Sequence, residues 1–117
     1  MAKRSLRARL LDIQVAIEEL NEILDGSDFA NYQKRIATRR GVERCLEIIS
    51  EASRYIPPEL TLHYPDIPWN EVRAIGNQLR HSYQHVDDLV IWKAATNSVP
   101  ELAQVASEML AKLSDDK

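Results

Sequence analysis

Leu6, Leu10, Ile13, Ile17, Leu20 and Leu24 follow one another at spacings of 4, 3, 4, 3 and 4. On a helix of 3.6 residues per turn these positions form one apolar seam, whereas a strand would scatter them over both faces. Leu11, Val15 and Ile23 widen the stripe. A helix over about residues 4–25 follows, with Gly26 just past its end and Ser27 or Asp28 capping the next. So long an amphipathic helix needs a partner helix along its seam.

The rest of the chain supplies partners of the same kind. A second helix is expected from about Phe29 to Tyr55, with its seam at Phe29, Ile36, Val42, Cys45 or Leu46, Ile49, Ala52 and Ile56. Pro57 and Pro58 stop it. Residues 57–69, "PPELTLHYPDIPW", hold four of the five prolines and read as an ordered irregular connection. A third helix starts near Pro68, buries Trp69, Val72, Ile75 and Leu79, and ends around Tyr83. Asp87 or Asp88 caps a short helix through "DLVIWKAATN". Ser98 then reads as the N-cap, and Glu101 as the capping-box partner, of a last helix through Leu102, Val105, Met109, Leu110 and Leu113. No strand alternation and no internal repeat is present. The expectation is an all-α, up-and-down helical bundle of four to five helices, with residues 1–117 as a single domain.

Composition excludes more than it selects. A net charge of −3 means that any nucleic-acid site must be a local patch. Cys45 is the only cysteine, so no internal disulfide can form, and a reducing cytoplasm suits it. No apolar run approaches the length of a membrane span. The basic start, "MAKRSLRARL", leads into a charged segment rather than an apolar one, and reads as the first helical turns rather than a signal. The seam of the first helix together with Trp69, Ile75 and Leu79 looks like more apolar surface than so short a bundle hides, which points to a homodimer.

The residues able to do chemistry concentrate in "GNQLRHSYQHVD", 76 to 87. His81 is its obvious acid–base group near neutral pH. On an ideal helix His81 and Tyr83 diverge by about 200°, so they converge only where the helix ends. His81 and His85, four apart, have the spacing of paired metal ligands; the third would have to be Asp87, Asp88 or His63, and no HExxH or cysteine pair accompanies them. The plain alternatives are a polar helix end for both histidines and a half-buried packing role for Tyr83. Lys34, Arg35, Arg39, Arg40 and Arg44 form a basic run. It reads either as a solvated face paired with Glu43 and Glu47 or as a phosphate contact.

The order of features is more specific than any one of them. In "YPDIPWNEVRAIGNQLRHSYQHVDDLVIW", Pro68–Trp69, Asn77, His81, Tyr83, Val86–Asp87 and Trp92 resemble the signature region of the HepT-like family within the HEPN superfamily. "DIQVAIEELNEIL", "RCLEIISEASRYIP" and "NSVPEL" resemble its other helices. The resemblance implies a helical bundle that dimerises, with two copies of the motif lining a cleft at the dimer interface. It implies the toxin of a type VII toxin–antitoxin pair, a metal-independent ribonuclease that needs no cofactor. Its partner would be an MNT-type nucleotidyltransferase antitoxin that AMP-modifies the motif tyrosine. Carried over by position, His81 is the catalytic histidine, Tyr83 the modification target and Asn77 the polar residue beside the arginine.

The arginine itself is missing. The family pattern places it at 76 or 74, and this chain has Gly76 and Ala74. Arg73, one turn upstream, and Arg80, directly before His81, are the candidate replacements. Two readings stay open: an active nuclease with a relocated arginine, or an inactive member that serves as binding partner and substrate of the nucleotidyltransferase. Restoring arginine at 76 is expected to stabilise the helix by up to about 1 kcal/mol, since glycine is a poor helix former.

Overall fold

The computed structural model describes residues 4–81 and 87–115; of His81, Ser114 and Asp115 only the backbone is described. The described residues form an all-α bundle of 48 × 29 × 29 Å. Its helices are α1 (Leu6–Leu24), α2 (Phe29–Lys34), α3 (Ile36–Ser53), α4 (Pro58–Thr61), α5 (Trp69–His81), α6 (Asp88–Lys93) and α7 (Pro100–Asp115), with a π turn at Ala94–Ser98 between the last two. None is long and apolar enough to cross a membrane.

Helix α1 is the axis of the packing. Ser5 caps it by accepting from the Ala8 amide at 3.0 Å. Gly26 ends it at φ +73°, a conformation that costs glycine nothing. Asp28 caps α2 through the Asn31 amide at 2.8 Å. The seam residues Leu10, Ile13, Ile17 and Leu20 are buried against α3 and α7, and α5 covers the other side of α3. Leu11 and Val15 do not widen the buried stripe; they are about half exposed.

The expected second helix is broken. Arg35 is extended (φ −104°, ψ 107°) and divides α2 from α3. On a straight helix Tyr32 would stand about 80° and Phe29 about 140° from Val42, off the seam facing α1. The break frees both rings to pack on Trp92 of α6, with centroids 5.5 and 5.9 Å away. Ile36, expected in the seam, is exposed, since six residues along α3 place it about 120° from Val42.

Two further boundaries differ from the sequence reading. The proline-rich connection contains α4 and is pinned by the Trp69 indole, which donates to the Tyr64 carbonyl at 3.0 Å. Asp87 caps α6 as expected, through the Leu89 amide at 2.8 Å. Ser98 is not an N-cap, because the chain stays helical through the π turn, where the Val99 amide donates to the Ala94 carbonyl at 3.0 Å. Trp69, Ile75 and Leu79, expected to add to a dimer face, are buried within the one chain, as are Leu10, Ile13, Ile17 and Leu20 of the α1 seam; the large apolar side chains left exposed include Leu11, Val15, Ile36 and Leu62.

Candidate functional site

Helix α5 carries the motif. Val72, Ile75, Gly76 and Leu79 turn towards the core, and Asn77 and Arg80 are exposed. The last described residue of the helix is His81. The side chain of His81, together with Ser82–Val86, lies outside the described residues, so Tyr83 and His85 do too.

Gly76 sits where α5 comes closest to α3. Its amide donates to the Ser50 hydroxyl at 3.0 Å, and that hydroxyl donates to the Arg73 carbonyl at 2.8 Å. A Cβ on residue 76 would meet Ser50 Oγ at 2.7 Å and Ser50 Cβ at 2.9 Å. The latter atom belongs to a buried helix and cannot swing away. Arginine at 76 therefore strains the α3–α5 contact instead of stabilising α5, and the propensity argument is overturned by packing.

The two candidate arginines part company here. The Arg73 guanidinium points its Nε and Nη2 at the carbonyls of Ser53 and Ile56, each 3.4 Å away, and lies 5.8 Å from the centre of the Trp69 ring. It serves the C-terminal end of α3, where a cation suits the exposed carbonyls. Arg80, one turn beyond Gly76, lies back along α5. Its Nη1 is 3.6 Å from the point where a Cβ on residue 76 would stand.

Arg80 lines a groove of about 220 Å³ with Arg9 and Asp12 of α1 and Arg44, Glu47 and Glu51 of α3. Three helices each contribute an arginine. Two of the facing carboxylates already have other cations: Arg4 holds Asp12 by both oxygens at 2.7 and 2.8 Å, and Arg54 stands 3.9 Å from Glu51. Of the basic run in the sequence only Arg44 reaches this groove. Arg40 pairs with Glu43 at 3.0 Å, and Arg39 with Asp88 at 3.4 Å, tying α3 to the start of α6.

Arg9 and Ser50 escaped the sequence reading. Arg9 stood in a basic N-terminal turn with nothing to single it out. Ser50 left a signal: a small polar residue between Ile49 and Ala52, inside an apolar seam. Two shifted groups lie elsewhere. Burial pushes the Tyr32 hydroxyl up to about 12, Asp88 and Glu43 add to this, and Arg39 opposes them. Burial also raises the Cys45 thiol, helped by Glu19 and opposed by Arg44.

Residues 13–109 match the family model described as ribonuclease HepT-like. The chain belongs to the HepT-like ribonuclease family. The probable ribonuclease HepT of Thermococcus cleftensis is 38% identical over 100 residues, which cover 86% of this chain and 91% of that protein. Two proteins of Methanocaldococcus jannaschii, both named provisionally as RNases, are similar as well. MJ1380 is 34% identical over 102 residues, covering 87% of this chain and 94% of its own. MJ0125 is 30% identical over 115 residues, covering 98% and 99%. No solved structure matches the chain significantly.

Proposed function

We propose that this HepT-like protein is a single-domain, metal-independent endoribonuclease, the toxin of a type VII toxin–antitoxin pair, working in the cytoplasm as a homodimer with the cleft at the dimer interface. His81 and Arg80 act on one phosphate. The observation that carries this reading is the division of labour between the arginines: Arg73 is committed to the end of α3, while Arg80 faces an arginine-lined groove on the last turn before His81.

The chemistry needs no group beyond these. The ribose 2′-oxygen attacks the adjacent phosphorus and the bond to the 5′-oxygen breaks, leaving a 2′,3′-cyclic phosphate and a free 5′-hydroxyl. His81 takes the 2′-hydroxyl proton or returns one to the departing 5′-oxygen, a contribution of about 10²–10⁴-fold. Arg80 holds the phosphate oxygens in the planar fork that lysine lacks, as charge grows on them. An MNT-type nucleotidyltransferase would silence the site by placing AMP on the Tyr83 hydroxyl. The added negative charge would lie where the RNA phosphate binds.

Purified protein incubated with RNA in EDTA tests this. Cleavage with cyclic-phosphate ends, lost in His81→Ala and in Arg80→Ala, is the expected result. A second reading is favoured by Gly76, which stands at the motif's arginine position: a catalytically inactive member that binds the nucleotidyltransferase and is its substrate. No cleavage by the wild type, together with AMP on Tyr83 after incubation with ATP and the cognate enzyme, would put that reading first.

A further inference from the structure

Tyr55 lies just past the end of α3, beside the arginine-lined groove. The Arg9 guanidinium carbon sits 3.7 Å above the centre of its ring, in stacking contact. The tyrosine nonetheless remains 54% exposed, so the stack covers one part of it and leaves the rest to solvent. Such a stack contributes little to an exposed surface by itself. Arg9 is also unusual on its other side. Its Nε is buried with no hydrogen-bond partner among the described residues, although the same side chain lines the groove with Arg44 and Arg80. A flat aromatic ring held by a cation therefore adjoins a groove to which α1, α3 and α5 each bring an arginine, and which Asp12, Glu47 and Glu51 also line.

We propose that the Arg9–Tyr55 stack is a nucleobase subsite for single-stranded RNA, with the strand's phosphates carried along the groove by Arg44 and Arg80. The proposal rests on the ribonuclease reading for its substrate class, and adds where the strand lies and what form it takes. Any base has a π face, so an aromatic platform with neighbouring arginines binds single strands with little sequence preference. In a duplex those faces are buried in the base stack, so a paired strand cannot use the ring. The guanidinium behind the ring fixes its plane, so little rotamer freedom remains to be lost when a base lands on it.

Binding of a fluorescein-labelled oligouridine, followed by anisotropy in EDTA, reads the subsite. His81→Ala protein serves as background so that the probe is not consumed. Tyr55→Ala should weaken binding by about 5- to 100-fold, the range found for loss of one base–aromatic stack. Tyr55→Phe should bind within about twofold of the parent, and Tyr55→Leu should fall with the alanine variant, because the flat π face and not apolar bulk is what counts. An oligonucleotide with an abasic site at the stacked position should bind the parent as weakly as intact RNA binds Tyr55→Ala, and the two losses should not add. A duplex of the same sequence should be indifferent to Tyr55.

Equal binding by Tyr55→Ala and parent overturns the subsite, and so does full binding by Tyr55→Leu. Sedimentation showing that Tyr55→Ala changes the assembly state while RNA affinity holds would assign the ring to a protein contact and overturn it as well. The two proposals fail separately. Tyr55-dependent binding with no cleavage by wild type leaves the base subsite standing and removes the nuclease. Cleavage with a KM unaffected by Tyr55→Ala does the reverse.

Discussion

The Gly76 amide reaches across to the Ser50 hydroxyl at 3.0 Å, and in doing so closes the place where an arginine would stand. The two residues act as a pair. Glycine at 76 lets α5 settle onto a serine, and the serine uses the approach to join the Gly76 amide to the Arg73 carbonyl. What the motif shows as a missing catalytic group is, in the fold, a helix–helix contact.

Gly76→Arg alone should lower stability, by about 1–3 kcal/mol, the range for an overpacked core site. Ser50→Ala should not relieve it, because Ser50 Cβ itself stands 2.9 Å from the new Cβ. Ser50→Gly should. Urea denaturation of both single variants and the double variant is expected to show coupling, with the double more stable than the sum of its parts. Additive losses would mean that the two helices part freely at this point.

The two arginines should separate by assay. Arg80→Ala is expected to leave stability within about 0.5 kcal/mol, as an exposed substitution does, and to lower cleavage by about 10²–10³-fold. Arg73→Ala is expected to cost about 1–3 kcal/mol, because the carbonyls of Ser53 and Ile56 lose a charged donor. Its activity, measured on the folded fraction, should stay near that of wild type. The reverse pattern would move the catalytic role to Arg73.

Tyr32 should make the protein alkali-sensitive in a defined window. Its hydroxyl is raised to about 12, from an ordinary value near 10. Above pH 10 the unfolded chain gives up this proton and the folded one keeps it. The stability is therefore whole below about pH 10 and falls as pH rises towards 12. Between pH 9 and 11.5 wild type should lose on the order of 1–2 kcal/mol relative to Tyr32→Phe. At pH 7 the phenylalanine variant should be as stable as wild type or more so, because the hydroxyl has no hydrogen-bond partner among the described residues. Parallel pH profiles for the two proteins would contradict this.

Cys45 should resist alkylation. It is buried, and its raised pKa keeps the thiolate scarce at neutral pH. Iodoacetamide is expected to label the native protein at least about 100-fold more slowly than the urea-unfolded chain, at a rate set by local opening. Rapid native labelling would show that the α1–α3 contact opens easily.

How far the sequence could be read depended on how far apart the deciding residues were. The α1 seam, the Gly26 terminus and the caps at Asp28 and Asp87 were legible because each is settled within a turn or two of chain. The break at Arg35 was not. It exists because Phe29 and Tyr32 must meet Trp92, sixty or more residues away, and nothing within "NYQKRIAT" announces that need. Gly76 was misread for the same reason: its partner is Ser50, twenty-six positions upstream. The division between Arg73 and Arg80 depends on which carbonyls α3 presents at its end, and spacing along α5 carries no trace of that.

The π turn at Ala94–Ser98 holds one residue more than the α turn it replaces. On one side of it Ile91 of α6 is buried; on the other, Leu102 and Met109 of α7, the helix that packs on α1, are buried. Rotational phase between the two helices is thus set by a count of residues and not by the identity of any one of them. Because the i→i+5 turn rotates the chain about as far as the i→i+4 turn it replaces, deleting a single residue from 94–98 could restore an unbroken α ladder with α7 still in phase with α6. Straightening 94–98 into an α turn with every residue kept would instead swing α7 by about 100° and turn the buried Leu102 and Met109 away from the core.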